Sequence, residues 1–493
     1  MDPAPRPSPS RSPLDRALVT VLLVAAAAYA IFLYRAGAAF AGGADSSGYF
    51  NLARQLGHGE FYAPVRAVPG FAHTHFSQGA FMPLGFVVDP ARPRMAPTYP
   101  AGLPLHLLAA AQIVGWDRAA LVVNVAGALA AGWLLWLLGR HFGLPPAWSA
   151  AGVAWLWLCP LYVQYALQPM SDALALTWSL ATLYAALRAR AGPGLGWSAA
   201  AGAALAMAVL TRPSNALLLL PVVWAIGFRP RALVALALGG LPGAVFFGYE
   251  NYHVYGSILT TGYGDVGALF KASYLPHNLG HVALWLPALL SPLIAAALAW
   301  PLLPGRWTRD TQVLVLWVMV LTAFYLFYFH TGETWWYLRF ILPVVPVWIL
   351  GALVTLHAGL ARRGAWPLAV ILIFFSAWEV GGNRFLASAN VATGENFYRE
   401  AADWARDHLP PDSAIFCMQV SGAFYFYTDF LVVRWEQIEP ASIEPLLAAL
   451  RAQHRPVYAA LYDFEAQDAF ARLGGHWKKI GTAGATTIWQ RED

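Results

Sequence analysis

Three charged residues, distant from one another in the chain, stand where charge is costly. Asp45 follows the apolar run Ala17–Tyr34 and opens Asp45-Ser46-Ser47-Gly48-Tyr49-Phe50-Asn51-Leu52-Ala53-Arg54. Arg212 lies in Val209-Leu210-Thr211-Arg212-Pro213-Ser214, between two apolar runs with almost no loop. Arg339 closes His330-Thr331-Gly332-Glu333-Thr334-Trp335-Trp336-Tyr337-Leu338-Arg339, just before another such run. A charge at the centre of a membrane helix costs roughly 2.5–3.5 kcal/mol on insertion scales, so charges beside apolar runs need a reason. An acid at a membrane–water boundary can meet both a lipid-borne and a water-borne reactant. A guanidinium at headgroup depth can hold a phosphate through paired hydrogen bonds; the plainer alternative is snorkelling to ordinary headgroups. Glu333 and His330 could orient a hydroxyl or a phosphate, or form only a solvated turn. Trp335-Trp336-Tyr337 reads as an interfacial aromatic belt before a sugar platform.

Other chemistry-bearing residues have plain explanations. Ser171 and Asp172, in Gln168-Pro169-Met170-Ser171-Asp172, suit a helix start, where a side-chain oxygen caps exposed N–H groups. His73 and His75 would need a further ligand to hold a metal; Asp89 is a weak candidate, and ordinary surface histidines are the expectation. Glu60 in the same stretch has no evident partner. Pro97-Thr98-Tyr99-Pro100-Ala101-Gly102-Leu103-Pro104 forces a turn that shapes a cavity rim. Cys159 and Cys417 are the two cysteines; one falls in an apolar run and the other in a polar tail, so neither a disulfide nor a metal-ligand spacing is expected.

The elements that must position these residues follow from composition. Of 493 residues, 58% are hydrophobic and only 12% charged, against about 25% charged in an average soluble domain. Apolar blocks of roughly 15–20 residues recur to about position 380, near the length that crosses a hydrocarbon core. The expected fold class is a polytopic α-helical membrane protein with about eleven spans. These fall near 17–34, 118–139, 147–166, 171–188, 197–211, 213–228, 232–249, 281–302, 311–329, 340–357 and 366–381. The net charge of +5 does not indicate nucleic acid, because the arginines sit in short loops between spans, as the positive-inside rule requires. With the tail 1–16 (Arg6, Arg11, Arg16) in the cytoplasm, inner loops carry Arg140, Arg188 with Arg190, Arg229 with Arg231, Arg306 with Arg309, and Arg362 with Arg363. That parity needs Leu103–Gly115, too short to span, to be an interfacial or re-entrant piece. A cleaved leader is disfavoured, since the first apolar run is long and an arginine follows it.

The resulting organisation is a cytoplasmic tail (1–16), a transmembrane domain (17–385) with a large first outer loop (35–116), and a soluble C-terminal α/β region (395–493) outside. In that last region Phe397–His408, 443–453 and 464–473 read as helices. Ala414–Gln419, Leu431–Trp435, Val457–Tyr462 and Thr486–Gln490 read as short strands. Covering or gating a membrane cavity is its expected role.

The arrangement resembles the membrane-embedded glycosyltransferases of the GT-C superfamily, and most of all the branch of protein O-mannosyltransferases and lipid A aminoarabinose transferases. The resemblance rests on Asp45 with Tyr49 and Ala53 after the first span, Tyr99-Pro100 to Leu105, Gly202–Arg212-Pro213, and Trp336-Tyr337-Leu338-Arg339-Phe340. It implies a bacterial inner-membrane enzyme with a polyprenyl-phosphate-linked sugar donor and an acceptor hydroxyl on a glycan, lipid or protein. On that basis Asp45 is the expected general base, and Arg212, Arg339, Glu333, His330 and Tyr49 are the expected substrate-binding residues. Single displacement would invert the anomeric centre, as a hexosyl- or pentosyltransferase. Several members carry a second carboxylate directly after the acid; here that position is Ser46, so metal independence is expected and no cofactor is implied. The rivals are a lipid-linked sugar flippase and a non-catalytic assembly subunit of the same fold. Transporters commonly carry internal repeats and midplane charges, whereas here the notable charges lie at one face.

Overall fold

The first apolar run folds as the helix Pro13–Ala36. The chain then crosses a short turn into a second helix, Ala44–Gly57, with Asp45 in its first turn. These elements come from a computed structural model, which describes residues 13–68, 79–89, 92–192, 194–262 and 266–493. His73, His75 and the tail arginines Arg6 and Arg11 lie outside the described residues.

The chain is mostly helical, a polytopic membrane protein. Among the described residues, five helical stretches are long and apolar enough to cross a membrane: Trp116–His141, Pro230–Tyr255, Arg309–Leu326, Trp335–Arg363 and Trp366–Phe385. A sixth arises if Ala272–Leu290 and Pro292–Leu302, bent by 107°, form one span. Several of the remaining expected spans are short or interrupted, and prolines account for the breaks. Pro160 lacks an N–H and its ring meets the preceding turn, so 147–166 divides into Pro146–Leu158 and Pro160–Ala166. The stretch 213–228 is a 3-10 helix, Pro213–Leu218, running into the short α-helix Leu219–Ile226. The bend in 281–302 falls at Ser291, with φ of 59°, immediately before Pro292. The first and third of these stretches are broken, whereas Pro213–Ile226 is one short helix, 3-10 and then α. The segment 103–115 is a 13-residue helix, Gly102–Val114, with Leu103, Pro104 and Leu107 buried in the protein.

Close helix packing is set by small residues. A Cβ added to Gly202 would strike the Leu236 carbonyl, and one added to Gly239 would strike that of Ala199. Leu195–Thr211 and Pro230–Tyr255 therefore approach backbone to backbone. The polar loop after Ala44–Gly57 contributes a small antiparallel sheet of β1 (Ala63–Pro64), β2 (Phe86–Val88) and β3 (Arg94–Pro97), ordered β1-β3-β2.

The C-terminal region begins with the helix Val391–His408. It holds a five-stranded sheet of β4 (Ala414–Phe416), β5 (Leu431–Val433), β6 (Val457–Tyr462), β7 (Trp477–Ala483) and β8 (Thr486–Arg491). The order is β5-β4-β6-β8-β7, with β4 parallel to β5 and β6, and β8 antiparallel to β6 and β7. The strand β7 lies where no strand is expected from the sequence: it is a sheet edge, and its Lys478 and Lys479 face solvent, the usual protection of such an edge. On one side of the sheet Ile415, Phe424 and Ile488 share a core with Ala63, Phe86 and Met95 from the loop sheet. The loop and the C-terminal region are thus one packed unit seated on the bundle, whose own core reaches up to include Tyr49, Phe50 and Phe426.

Candidate active site

Four charged side chains from four separate elements meet at one end of the bundle. Asp45 projects from the first turn of Ala44–Gly57; residues Ser46 through Ala53 of that helix are buried, while the Asp45 side chain keeps a third of its surface exposed. Arg339 sits in a 3-10 stretch, Trp335–Val344. Its Nη1 donates to Asp45 Oδ2 at 3.1 Å and lies 3.9 Å from Asp172 Oδ2. Arg212 pairs with Asp172 and donates to the Arg339 carbonyl at 3.3 Å. The result is a chain of alternating charge, Asp45–Arg339–Asp172–Arg212, open at the Asp45 end and closed at the other.

Local sequence explains how the two guanidiniums arrive there. The residue before a proline is pushed towards extended backbone. Arg212, before Pro213, has φ −150° and ψ 109° and ends the helix Leu195–Thr211. Its guanidinium carbon lies 5.1 Å from the Phe340 ring centroid, and that of Arg339 lies 5.2 Å from the same ring. Tyr165 and Tyr337 also face Arg339, at 5.7 and 5.8 Å. Aromatic faces attract a desolvated cation. Arg339 Nε is buried and has no hydrogen-bond partner among the described residues, an unmet donor in the middle of the cluster.

Asp172 departs from its expected role. It is the second residue of the helix Ser171–Ala191, whose first turn shows no side-chain cap; its carboxylate, 1% exposed, serves the two arginines instead. Two arginines at one membrane boundary call for counter-charge, which was the signal available in the sequence. Tyr49 reaches the same neighbourhood: its hydroxyl donates to Ser171 Oγ at 2.9 Å, and its ring lies 5.0 Å from that of Tyr99. His330 and Glu333 bond to each other at 2.7 Å and are each about a third exposed. They flank the cluster through Tyr337, which stacks on His330 at 5.3 Å, and no ion pair joins either to Asp45, Arg212 or Arg339 among the described residues. In the aromatic run, Trp335 is buried and Trp336 exposed.

An apolar cavity of about 310 Å³ opens beside Arg212, lined among others by Ser214, Leu217, Phe270, Tyr325 and Phe340. Tyr325 donates to Ser214 Oγ at 2.6 Å on its wall. A larger groove of about 760 Å³, between Tyr29, Trp157 and Asn383, includes none of the four charged residues. The smaller cavity is the one whose chemistry fits an apolar chain ending in an anion. Among the described residues, no three His, Cys, Asp or Glu side chains gather as metal ligands, and Asp89 is engaged with Arg94 at 2.6 Å.

No protein-family model matches the chain, and no curated protein sequence does. Solved structures match over nearly its whole length. The crystal structure of ArnT from Cupriavidus metallidurans bound to undecaprenyl phosphate superposes with a TM-score of 0.59 at 13% identity, covering 96% of this chain and 98% of that one. The same ArnT in the apo state gives 0.59 at 13% identity over 97% and 98%. The arabinofuranosyltransferase AftD from Mycobacteria gives 0.53 at 13% identity over 96% of this chain and 41% of that larger one. The chain shares the fold of these structures.

Proposed function

We propose that the protein is an integral-membrane glycosyltransferase of the bacterial inner membrane, which moves a sugar from a polyprenyl-phosphate donor to an acceptor hydroxyl at the outer face. In this reading the N-terminus is cytoplasmic and the C-terminal α/β region extracytoplasmic. The observation that carries it is the Asp45–Arg339–Asp172–Arg212 chain at the mouth of an apolar cavity. The likeness to ArnT with undecaprenyl phosphate supports the same class of lipid.

The residues divide the work by burial. The isoprenoid lies along Leu217, Phe270 and Phe340, with its phosphate against Arg339 and Arg212. The unmet Arg339 Nε–H and the guanidinium forks suit a phosphate better than a point charge would. As the phosphate draws Arg339, Asp45 is released from its ion pair and becomes a proton acceptor. The acceptor oxygen attacks the anomeric carbon, the bond from that carbon to the phosphate oxygen breaks with its electron pair, and the acceptor proton passes to Asp45. Charge growing on the leaving phosphate is met by fixed cations in a partly dehydrated site. One displacement inverts the anomeric centre, and the residues named require no metal for it. Tyr49, His330 and Glu333 stand on the water side, where the sugar and acceptor would lie.

Incubating the purified protein in detergent with a labelled polyprenyl-phosphate sugar and a panel of hydroxyl acceptors tests this. Loss of the sugar from the lipid, with an inverted linkage in the product, is the expected result. Donor left intact but moved across a vesicle bilayer would favour a flippase, and donor neither consumed nor moved would favour an assembly subunit.

A further inference from the structure

The helix that bears Asp45 starts without a cap of its own. Its N-cap is Gly43, and no side chain from the helix accepts from the first-turn N–H groups, which need partners when buried. A carboxyl from the far end of the chain stands there. Glu395, in the helix Val391–His408 that leads into the C-terminal sheet, faces the Gly43 N–H and the Ser46 hydroxyl, and the Asp45 charge bears on it. The approach depends on glycine: a Cβ on Gly42 would run into Glu395 Oε2, while a Cβ on Gly43 would lie 3.9 Å from Oε1. Glu395 Oε2 is sealed from solvent and has no hydrogen-bond partner among the described residues.

We propose that Glu395 is a positioning residue for the base: a carboxyl supplied by the C-terminal region that caps the Asp45 helix and sets the charge beside it. The proposal rests on the reading of Asp45 as the proton acceptor. An anion at a helix N-terminus stabilises that turn, and the Glu395 carboxyl does so at the turn that carries Asp45. The C-terminal region also holds this helix and the turn before it at other points. Asn51 donates to the Gly422 carbonyl at 3.3 Å, Arg54 to the Phe426 carbonyl at 2.8 Å, and the Tyr427 hydroxyl accepts from the Ala41 N–H at 2.9 Å. Unlike these contacts, Glu395 brings a carboxyl to the Asp45 turn. Its titratable neighbours are Asp45 on the base helix, Tyr398 on its own helix and Tyr462 at the end of β6. With burial as the main cause, its carboxyl is pushed up to about 7. It is therefore neutral on the acid side of that value and charged on the alkaline side. The capping charge at the Asp45 turn therefore grows as pH rises through this window.

The test uses the full-length protein with Glu395→Gln, Glu395→Asp and Gly42→Ala. Wild-type transfer from a polyprenyl-phosphate sugar is expected to show kcat rising through an inflection near pH 7. Glu395→Gln is expected to lose that inflection, with kcat at pH 8 about two- to fivefold lower, the scale of one charge at a helix N-terminus, and with unchanged KM for the donor. Glu395→Asp is expected to restore part of the inflection, and Gly42→Ala to lower it by displacing the carboxyl. A Glu395→Gln profile that keeps the wild-type inflection and height overturns the proposal, as does a loss in yield alone with the profile intact. Amide hydrogen exchange over residues 43–49 gives a readout that needs no activity: faster exchange in Glu395→Gln supports the cap, and equal exchange overturns it. A wild-type protein inert with every donor would defeat the functional reading, while the exchange result would still decide the role of Glu395.

Discussion

Two ion pairs within one cluster have opposite characters. Asp172–Arg212 is closed: the side chains are 1% and 9% exposed, and Arg212 is fixed further by the Arg339 carbonyl. Asp45–Arg339 is open: its side chains are 33% and 16% exposed, and Arg339 keeps an unmet Nε–H. A buried pair is strongly destabilised when one partner is removed, because the other is left charged and dry, whereas a pair whose carboxylate reaches solvent contributes less to stability. In the proposed mechanism the inner pair is framework and the outer pair the exchangeable part, which trades a carboxylate for a phosphate.

That contrast can be broken from either side. Asp172→Ala is expected to cost about 3–5 kcal/mol of stability by stranding Arg212. A lowered thermal midpoint in detergent, with loss of both activity and donor binding, would show it; a midpoint equal to wild type would erase the distinction between the pairs. Arg339→Ala is expected to leave the midpoint within about 1 kcal/mol of wild type yet reduce transfer by about 10²–10³, the usual effect of losing one donor to a developing anion. Rates and melting curves on the same sample separate the two. Tyr49→Phe removes one hydroxyl bond to Ser171 and is expected to cost about 0.5–1.5 kcal/mol, read as a several-fold drop in kcat/KM. His330→Ala sharpens the boundary of the cluster: the residue belongs to the rim, and an effect of about twofold, near that of an exposed pair, is expected in acceptor KM with none in donor binding.

Asp45, Arg212 and Arg339 were legible because each is a charge beside an apolar run, and the arginines oppose the inward bias of the loops. Their meeting within hydrogen-bonding distance needed the fold. Asp172 was hidden by an ordinary explanation: an acid at a helix start usually caps it, and its partner Arg212 lies 40 positions away. Glu395 was hidden by distance and company, in a polar amphipathic helix where a glutamate is unremarkable. Among the elements, apolar length located the membrane runs, but it could not show that Pro160 and Pro292 break them, since hydropathy does not register a missing N–H. Strands β4, β5, β6 and β8 carry apolar side chains into a core and could be read. The edge strand β7, with its two lysines outward, offers no such pattern.

Asp45→Asn tests the central claim most directly, because it keeps the shape of the side chain and removes its ability to take a proton. Single-turnover transfer and binding of the polyprenyl-phosphate donor are measured on the same preparation. The expected result is a loss of about 10²–10⁴ in transfer, with donor binding retained or tightened as Arg339 is freed from its ion pair. Transfer at the wild-type rate would contradict the claim, and so would donor binding lost in step with transfer.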